Sequence, residues 1–301
     1  MTSEILELRA EKLLRRIEGA GLSVEQRKEL ANGLQYSLRR EEETCRINLY
    51  YSRKKGFSIV PAGGSEELLE LVEGLAERPV PKGVWSGSDE AGKGDYFGGL
   101  AVCAFCCDET TASLLRRSGV VDSKMLANLR LREVASAVRE RAEGRWSLRH
   151  VKAEGYNRAL AGLRGEGHNS LDLLAEMHGG AVADLLSSGC APDRVVVDRF
   201  CDQERLAPLM PDGGYTLEVY PGAESDPAVA AASILARDSY LDELSDLSER
   251  FGVRLPPGSG WEADRAGAGL VGKHGERALA SAAKLHFQNT RRVKEISRLN
   301  S

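Results

Sequence analysis

Two predicted strands of this chain each end in carboxylates, and this pattern constrains the fold more than any other feature. The segment "DRVVVD" (193–198) is a short apolar run ending in Asp198, which is typical of a strand buried in a sheet. The segment "VWSGSDE" (84–90) predicts a second strand, which ends in Asp89 and Glu90. Because open α/β sheets bind ligands at the carboxyl ends of their strands, we expect these carboxylates at a ligand-binding edge.

Strand-like and helical segments are mixed along residues 84–301, which predicts an α/β domain. The segment "VWSGSD" and the segment "GGLAVCAFCC" (98–107) flank a glycine-rich stretch, so we expect them to pair as a hairpin. Further strands are predicted at 146–153 and 215–221, and helices at 128–142, 169–189 and 227–252. The alanine-rich first half of the last helix favours close packing against a neighbour.

Residues 1–78 form a predicted small α+β domain, which residues 79–83 link to a domain at 84–301. Two prolines close together in "ERPVPKG" disfavour a continuing helix and mark this linker. Ser3 and Ser23 are predicted helix N-caps, and segment 65–77 predicts another helix with acidic residues in its first turn. The segments 45–52 and 57–62, joined by "RKKG", predict a hairpin.

Composition excludes several classes of protein. The net charge of the 301-residue chain is −4, so no global attraction to nucleic acid or anionic lipid is expected. No apolar run approaches the length that spans a bilayer, and the N-terminus lacks an apolar signal segment, so we predict a cytoplasmic protein without membrane contact. Cys103, Cys106 and Cys107 lie in an apolar run typical of a packed core, and no partner cluster suggests zinc. Basic clusters at 52–56 and 284–301, the latter including Lys284, are interpreted as solvated surfaces.

A fourth carboxylate, Glu224 in "YPGAESDP", precedes the alanine-rich helix. Any single acidic residue in this chain is most often a surface residue. Several carboxylates that converge at one sheet edge, however, repel one another unless a cation lies between them. Oxygen ligands of this kind suit Mg²⁺ or Mn²⁺, and a pair of such ions supports phosphoryl transfer. The residues alone therefore indicate a metal-dependent phosphoryl-transfer site.

The turn after Asp89 and Glu90 reads "AGKGD". Gly92 and Gly94 let the backbone approach a ligand closely because they carry no Cβ, and Lys93 offers a point charge to a phosphate. The same glycines also fit a tight hairpin with no ligand, so the turn by itself leaves both interpretations open.

These residues together resemble the type 2 ribonucleases H. The stretch "GSDEAGKGDYFGG" (87–99) is similar to the first motif of that family, and its "GDYFG" is similar to the ribonuclease HIII branch. Further similar segments follow in the order of the family: "VVDSKML" (120–126), "VVVDRF" (195–200), "AESDPAVAAASILARD" (223–238), "LPPGSG" (255–260) and "AKLHFQNT" (283–290). The resemblance extends from residue 84 to residue 292.

The resemblance implies a ribonuclease H fold, with a central mixed five-stranded sheet surrounded by helices. It implies hydrolysis of the RNA strand of an RNA/DNA hybrid by two-metal-ion catalysis, leaving 5′-phosphate and 3′-hydroxyl ends. A monomer with no organic cofactor is expected. The implied ligands of two Mg²⁺ or Mn²⁺ ions are Asp89, Glu90, Asp198 and Glu224. The implied substrate contacts are Gly92, Lys93 and Gly94, whose backbone would meet the 2′-hydroxyls of RNA, and Ser123 and Lys124 near the scissile phosphate.

The resemblance also implies that the N-terminal domain has a fold like that of the TATA-box-binding protein and grips the hybrid. Residue patterns in 1–78 predict only one hairpin, fewer strands than such a fold contains. The candidate contacts to the nucleic-acid backbone are Tyr50, Tyr51, Arg53, Lys54 and Lys55. The two tyrosines are equally compatible with a core position.

Two alternatives remain. A ribonuclease HII-type enzyme would cut at a single ribonucleotide embedded in DNA; Glu224, "GDYFG" and the N-terminal domain argue against it. A catalytically silent protein would bind hybrids without cutting them; the presence of all four expected carboxylates argues against that.

Overall fold

The computed structural model describes residues 2–52, 56–65, 67–69, 71–72, 82–117, 120 and 128–299. The chain divides into two compact units, Met1–Pro79 and Val80–Ser301. Residues 79–81 of the predicted linker lie outside the described residues.

In the N-terminal unit, the described residues include a long helix packed on a four-stranded antiparallel sheet of order β1-β2-β3-β4. Helix α1 places buried apolar side chains at helical spacing, from Leu6 through Ala10 and Leu13 to Ile17. They share a core with alternate residues of the two central strands, among them Leu38. The elements are α1 (Thr2–Gly19), β1 (Ser23–Leu30), β2 (Gly33–Arg40), β3 (Glu43–Ser52) and β4 (Gly56–Ala62).

This unit corrects three expectations. Ser23 begins strand β1 and is not a helix N-cap, and Ser3 lies inside α1, which begins at Thr2. The unit has four strands where the sequence predicted two; β3 and β4 form the predicted hairpin. Strand β1 was missed because it is polar and almost wholly exposed, so its sequence shows no apolar alternation. It is identified as a strand by its antiparallel pairing with β2, which runs from Leu30 opposite Gly33 to Ser23 opposite Arg39. Of the predicted helix at 65–77, residues 67–69 and 71–72 are helical, and residues 66, 70 and 73–77 lie outside the described residues.

The second unit is built on the expected mixed five-stranded sheet, of order β7-β6-β5-β8-β9. Strand β6 runs antiparallel to β5 and β7, whereas β5, β8 and β9 are parallel. The strands are β5 (Trp85–Ala91), β6 (Leu100–Cys107), β7 (Trp146–Val151), β8 (Arg194–Asp198) and β9 (Thr216–Tyr220).

Helices cover both faces of this sheet, as the continuous burial of β6 requires. The described helices are α2 (Glu109–Arg117), α3 (Asn128–Arg141), α4 (Ala153–Gly165), α5 (Ser170–Ser187), α6 (Gln203–Leu206), α7 (Pro227–Phe251), α8 (Trp261–His274), α9 (Ala278–Ala282) and α10 (Asn289–Leu299). Short 3-10 turns occupy Ala207–Leu209 and Ala223–Ser225.

Helix α7 lies directly on the central strand β5. A Cβ built on Gly87 would stand 2.2 Å from the backbone nitrogen of Val229, so this approach requires glycine on the strand. Small side chains at Ala228, Ala231 and Ala232 are fully buried in the same contact. Helix α5 packs on the opposite face, against β6 and β8. The two helices that later contribute to the site therefore lie on opposite faces of the sheet.

Two residues differ from their expected roles. Cys106 is buried, as predicted, but it forms a disulfide with Cys190, a pairing that the sequence did not predict. Lys284 was assigned to a solvated basic segment, but its side chain is fully buried. Its ammonium donates to the carbonyl oxygens of Asp95, Phe97 and Gly98, which explains how the charge is accommodated. None of the described helices is long and apolar enough to span a membrane.

Candidate active site

The register of the sheet brings Asp89 and Asp198 side by side. Parallel pairing of β5 with β8 continues to Ser88 opposite Val197, and each carboxylate is the next residue in its strand. Asp198 Oδ1 accepts a hydrogen bond of 2.9 Å from the backbone N–H of Ala223. That bond fixes the start of the 3-10 turn in which Glu224 lies. The carboxyl edge of the sheet therefore gathers the segments that carry all four predicted carboxylates.

Asp89 is held in a buried and negatively charged environment. The pKa of Asp89 is raised to about 8, first by burial and in addition by the neighbouring charges of Glu90 and Asp198. Hydrogen bonds from the Ser233 hydroxyl and from the backbone N–H of Glu90, at 2.8 Å, oppose the shift. Loss of hydration is thus the first cause of the raised pKa, and the charges of the two neighbouring carboxylates add to it.

Glu90, unlike Asp89, has a histidine and a lysine beside its carboxylate. Although burial by itself raises the pKa of this carboxyl, a hydrogen bond and charge from His178, together with Lys93, hold it below its usual value. His178 Nε2 lies 3.3 Å from Glu90 Oε2, and Lys93 Nζ lies 3.2 Å from Oε1. The sequence analysis missed His178; the only signal was a histidine on the buried face of a predicted helix.

The two glycines of the turn have different roles. Gly92 has a φ of +93°, and a Cβ there would stand 2.5 Å from the carbonyl oxygen of Gly99, so the fold itself requires this glycine. A Cβ on Gly94 would meet no atom within 4 Å. Gly94 therefore leaves open space at the surface, which a close ligand can use. Ser233, in the alanine-rich first half of α7, bonds Asp89.

A cleft of about 390 Å³ lies beside this turn. Its walls come from the end of β5, from one face of α7 and from the loop before α8. The lining residues are Glu90, Ala91, Gly92, Lys93, Gly94, Asp95, Ser233, Arg237, Tyr240, Leu241 and Pro257. The cleft joins one of the predicted metal ligands to all three predicted backbone contacts and adds the guanidinium of Arg237.

The remaining predicted residues are placed less completely. Ser123 and Lys124 lie outside the described residues, as do Arg53, Lys54 and Lys55. Tyr51 packs against the core of the N-terminal unit. Tyr50 directly precedes Tyr51 in β3 and so points to the other face of that sheet, where its ring lies beside Gly33.

The carboxylate oxygens suit Mg²⁺ or Mn²⁺ by donor type, and a cation would favour the charged form of Asp89, whose pKa burial raises. In the part of the chain that the structure describes, no group of three or more His, Cys, Asp or Glu residues is arranged closely enough to hold an ion. The structure thus brings the segments that carry the four predicted ligands to one sheet edge, but it does not arrange their side chains as a metal site.

Comparison with known proteins agrees with this geometry. The sequence model of the ribonuclease HII family matches residues 86–290. Ribonuclease HIII of Streptococcus gordonii is 34% identical over 215 residues, which cover 70% of this chain and 71% of the relative. Ribonuclease HIII of Streptococcus thermophilus is 34% identical over 212 residues, which cover 69% and 70%.

A solved structure is similar along nearly the whole chain. The crystal structure of Bst-RNase HIII in complex with Mn²⁺ is 25% identical with a TM-score of 0.67, and the match covers 96% of this chain and 97% of that one. The similarity includes the N-terminal unit, with its helix and four-stranded sheet. The chain therefore belongs to the ribonuclease HII family, in its ribonuclease HIII branch, whose members are metal-dependent endoribonucleases.

Proposed function

We propose that this protein hydrolyses the RNA strand of RNA/DNA hybrids and leaves 5′-phosphate and 3′-hydroxyl ends. The observation that carries the proposal is the register that sets Asp89 beside Asp198 at the sheet edge, next to a glycine turn open to solvent at Gly94. The carboxylates would bind the metal ions that phosphodiester hydrolysis requires. The accessible backbone of the turn would recognise the strand that is cut.

Asp89, Glu90, Asp198 and Glu224 would hold two divalent cations, Mg²⁺ or Mn²⁺. When bound, such a pair of ions activates a water and stabilises the leaving oxygen in phosphodiester hydrolysis. Hydrogen bonds within the chain orient two of these carboxylates. Asp89 accepts from Ser233 and from the N–H of Glu90, and Asp198 accepts from the N–H of Ala223. Two of the ligands therefore have one preferred orientation before substrate arrives.

Recognition of RNA would rest on the turn and the cleft. Backbone groups at Gly92, Lys93 and Gly94 are proposed to contact ribose 2′-hydroxyls, the groups that distinguish RNA from DNA. The absence of any atom near a Cβ position at Gly94 supports such a close approach. Lys93 and Arg237 add two cations to the lining of the cleft, where phosphates would lie. Ser123 and Lys124 are proposed to lie near the scissile phosphate.

The N-terminal domain, residues 1–78 joined by the linker 79–83 to the catalytic domain 84–301, is proposed to bind the duplex. Tyr50 is the better supported of the two tyrosines because it lies on the sheet face opposite α1. The likeness to Bst-RNase HIII over nearly the full length supports a functional N-terminal domain. Arg53, Lys54 and Lys55 remain proposed contacts.

The decisive experiment compares two labelled duplexes in Mg²⁺, Mn²⁺ or EDTA. One carries an all-RNA strand paired with DNA, and the other is DNA with a single embedded ribonucleotide. We expect several metal-dependent cuts in the first and almost none in the second. Efficient cutting of the second would move the protein to the ribonuclease HII type. Binding of the hybrid without cutting in any metal would show the catalytically silent alternative.

A further inference from the structure

His178 occupies a fully buried position between the strand β5 and the carboxylate of Glu90. Its Nδ1 lies 2.7 Å from the hydroxyl of Ser88, and its Nε2 lies 3.3 Å from Glu90 Oε2. Both His178 and Ser88 have no exposed surface. His178 therefore connects the carboxylate of Glu90 to the buried hydroxyl of Ser88. It lies in α5, on the face of the sheet opposite to α7.

Hydrogen-bond accounting fixes the orientation of the imidazole. The Ser88 hydroxyl has one proton and two acceptors within reach, Nδ1 of His178 at 2.7 Å and the carbonyl oxygen of Cys103 at 3.0 Å. Because the carboxylate oxygen Oε2 of Glu90 can only accept, Nε2 of His178 bonds it as the N–H donor, and Nδ1 accepts from the Ser88 hydroxyl. The ring also stacks on Phe200, with centroids 4.8 Å apart and planes inclined by 13°. Two independent contacts, one polar and one aromatic, hold the ring in a single pose.

The two oxygens of Glu90 consequently have unlike surroundings. Oε2 faces His178, which is fully buried and contacts both Ser88 and Phe200. Oε1 faces Lys93, whose side chain is 42% exposed and so is free to move. Lys93 also lies over the other partner of His178, with Nζ 5.4 Å from the Phe200 ring centroid. One oxygen is fixed by the interior, and the other is covered by a mobile cation.

We propose that His178 is a positioning residue that holds Oε2 of Glu90, so that Oε1 is the oxygen offered to a divalent cation. Lys93 covers Oε1 as a counter-ion. If a divalent cation took that position, the ammonium of Lys93 would be available to a substrate phosphate. This assignment rests on the proposed function, because it takes Glu90 as a metal ligand. Outer contacts of this kind typically change metal affinity about 10- to 100-fold when they are removed.

The test compares His178→Gln with His178→Asn. Glutamine places an amide N–H near the position of Nε2 and retains a donor to Glu90, whereas asparagine places it near Nδ1 and reaches only Ser88. Both variants lose the ring and its stacking on Phe200, so each is the structural control for the other. Binding of Mn²⁺ is measured without hybrid, by electron paramagnetic resonance of the free ion. We expect affinity to fall about tenfold or more in the Asn variant and less than about threefold in the Gln variant.

A second readout separates positioning from damage to the fold. At saturating Mn²⁺, both variants should bind hybrid with the wild-type KM, because the substrate contacts are elsewhere. Equal Mn²⁺ affinities in the Gln and Asn variants, or wild-type affinity in the Asn variant, would overturn the proposal.

If neither variant is folded by thermal melting, Phe200→Leu provides the test, since it keeps both hydrogen bonds of His178 and removes only the stacked ring. A loss of Mn²⁺ affinity of about threefold is expected, and unchanged affinity would overturn the proposal. Hybrid cleavage by the wild-type protein is measured in parallel. Failure of that cleavage contradicts the proposed function, whereas the affinities without hybrid report on His178 alone.

Discussion

Lys284 gives the sharpest quantitative prediction because its charge is buried without a carboxylate bonded to it in the described residues. The ammonium donates to the carbonyl oxygens of Asp95 at 2.9 Å, Gly98 at 3.0 Å and Phe97 at 3.3 Å. Burial lowers the pKa of Lys284 to about 8, although the charges of Asp95 and Glu243 act in the opposite direction. The folded state therefore binds the proton of this side chain more weakly than the unfolded state does.

The sign and size of the effect follow from proton linkage. Between the folded pKa of about 8 and the unfolded value of 10.5, the unfolded chain binds more protons than the folded one. The free energy of unfolding contributed by Lys284 therefore rises with pH across that window. At about 1.4 kcal/mol per pKa unit, the rise amounts to about 3 kcal/mol. Below pH 8 the cost of burying the charge is fully present, and above 10.5 it is gone.

The assay is urea unfolding of the wild type and of Lys284→Met at several pH values from 7 to 10.5. The three carbonyls left without a donor destabilise the variant by an amount that does not depend on pH, so they do not affect the slope. The free energy of unfolding of the wild type, minus that of Lys284→Met, should increase by about 3 kcal/mol as the pH rises from 7 to 10.5. Lys273→Met is the control: Lys273 also donates to a carbonyl, that of Gly252 at 2.8 Å, but it is exposed. A difference that is flat for Lys284→Met, or that falls with pH, would refute the reasoning.

Four further predictions concern the site and its supports. Asp89→Asn should abolish cleavage yet leave hybrid affinity, measured by gel shift, within about threefold, because binding rests on many distributed phosphate contacts. Gly94→Ala should melt like the wild type but raise KM, whereas Gly92→Ala should lose about 1–3 kcal/mol of stability in denaturant unfolding. Asp226→Ala should lose about 2–4 kcal/mol in the same assay, since this buried N-cap of α7 also accepts a bond from Trp85 at 2.9 Å. Deletion of residues 1–78 should raise KM more than it lowers kcat; an unchanged KM would contradict a binding role.

Part of the site was predictable because its signals are local. Asp89 and Asp198 each end a strand whose apolar pattern is visible within a few residues, and parallel strands deliver their carboxyl ends to one edge. The alanine-rich start of α7 likewise predicts close packing against a neighbour from composition alone. Where such a local pattern is lacking, as in the exposed polar strand β1, the prediction was wrong.

By itself, the sequence determined the mixed α/β architecture of the second unit, the identity of the strand-end carboxylates and the family resemblance, since short-range pattern and motif order carry each of these. Only the tertiary structure decided that His178 meets Glu90, 88 residues away, that Cys106 pairs with Cys190, and that Lys284 is buried under the loop at 95–98. The physical reason is that these side chains acquire their partners from other elements. A histidine, a cysteine or a lysine has the same local pattern on a solvated surface as in a core, and packing alone distinguishes the two.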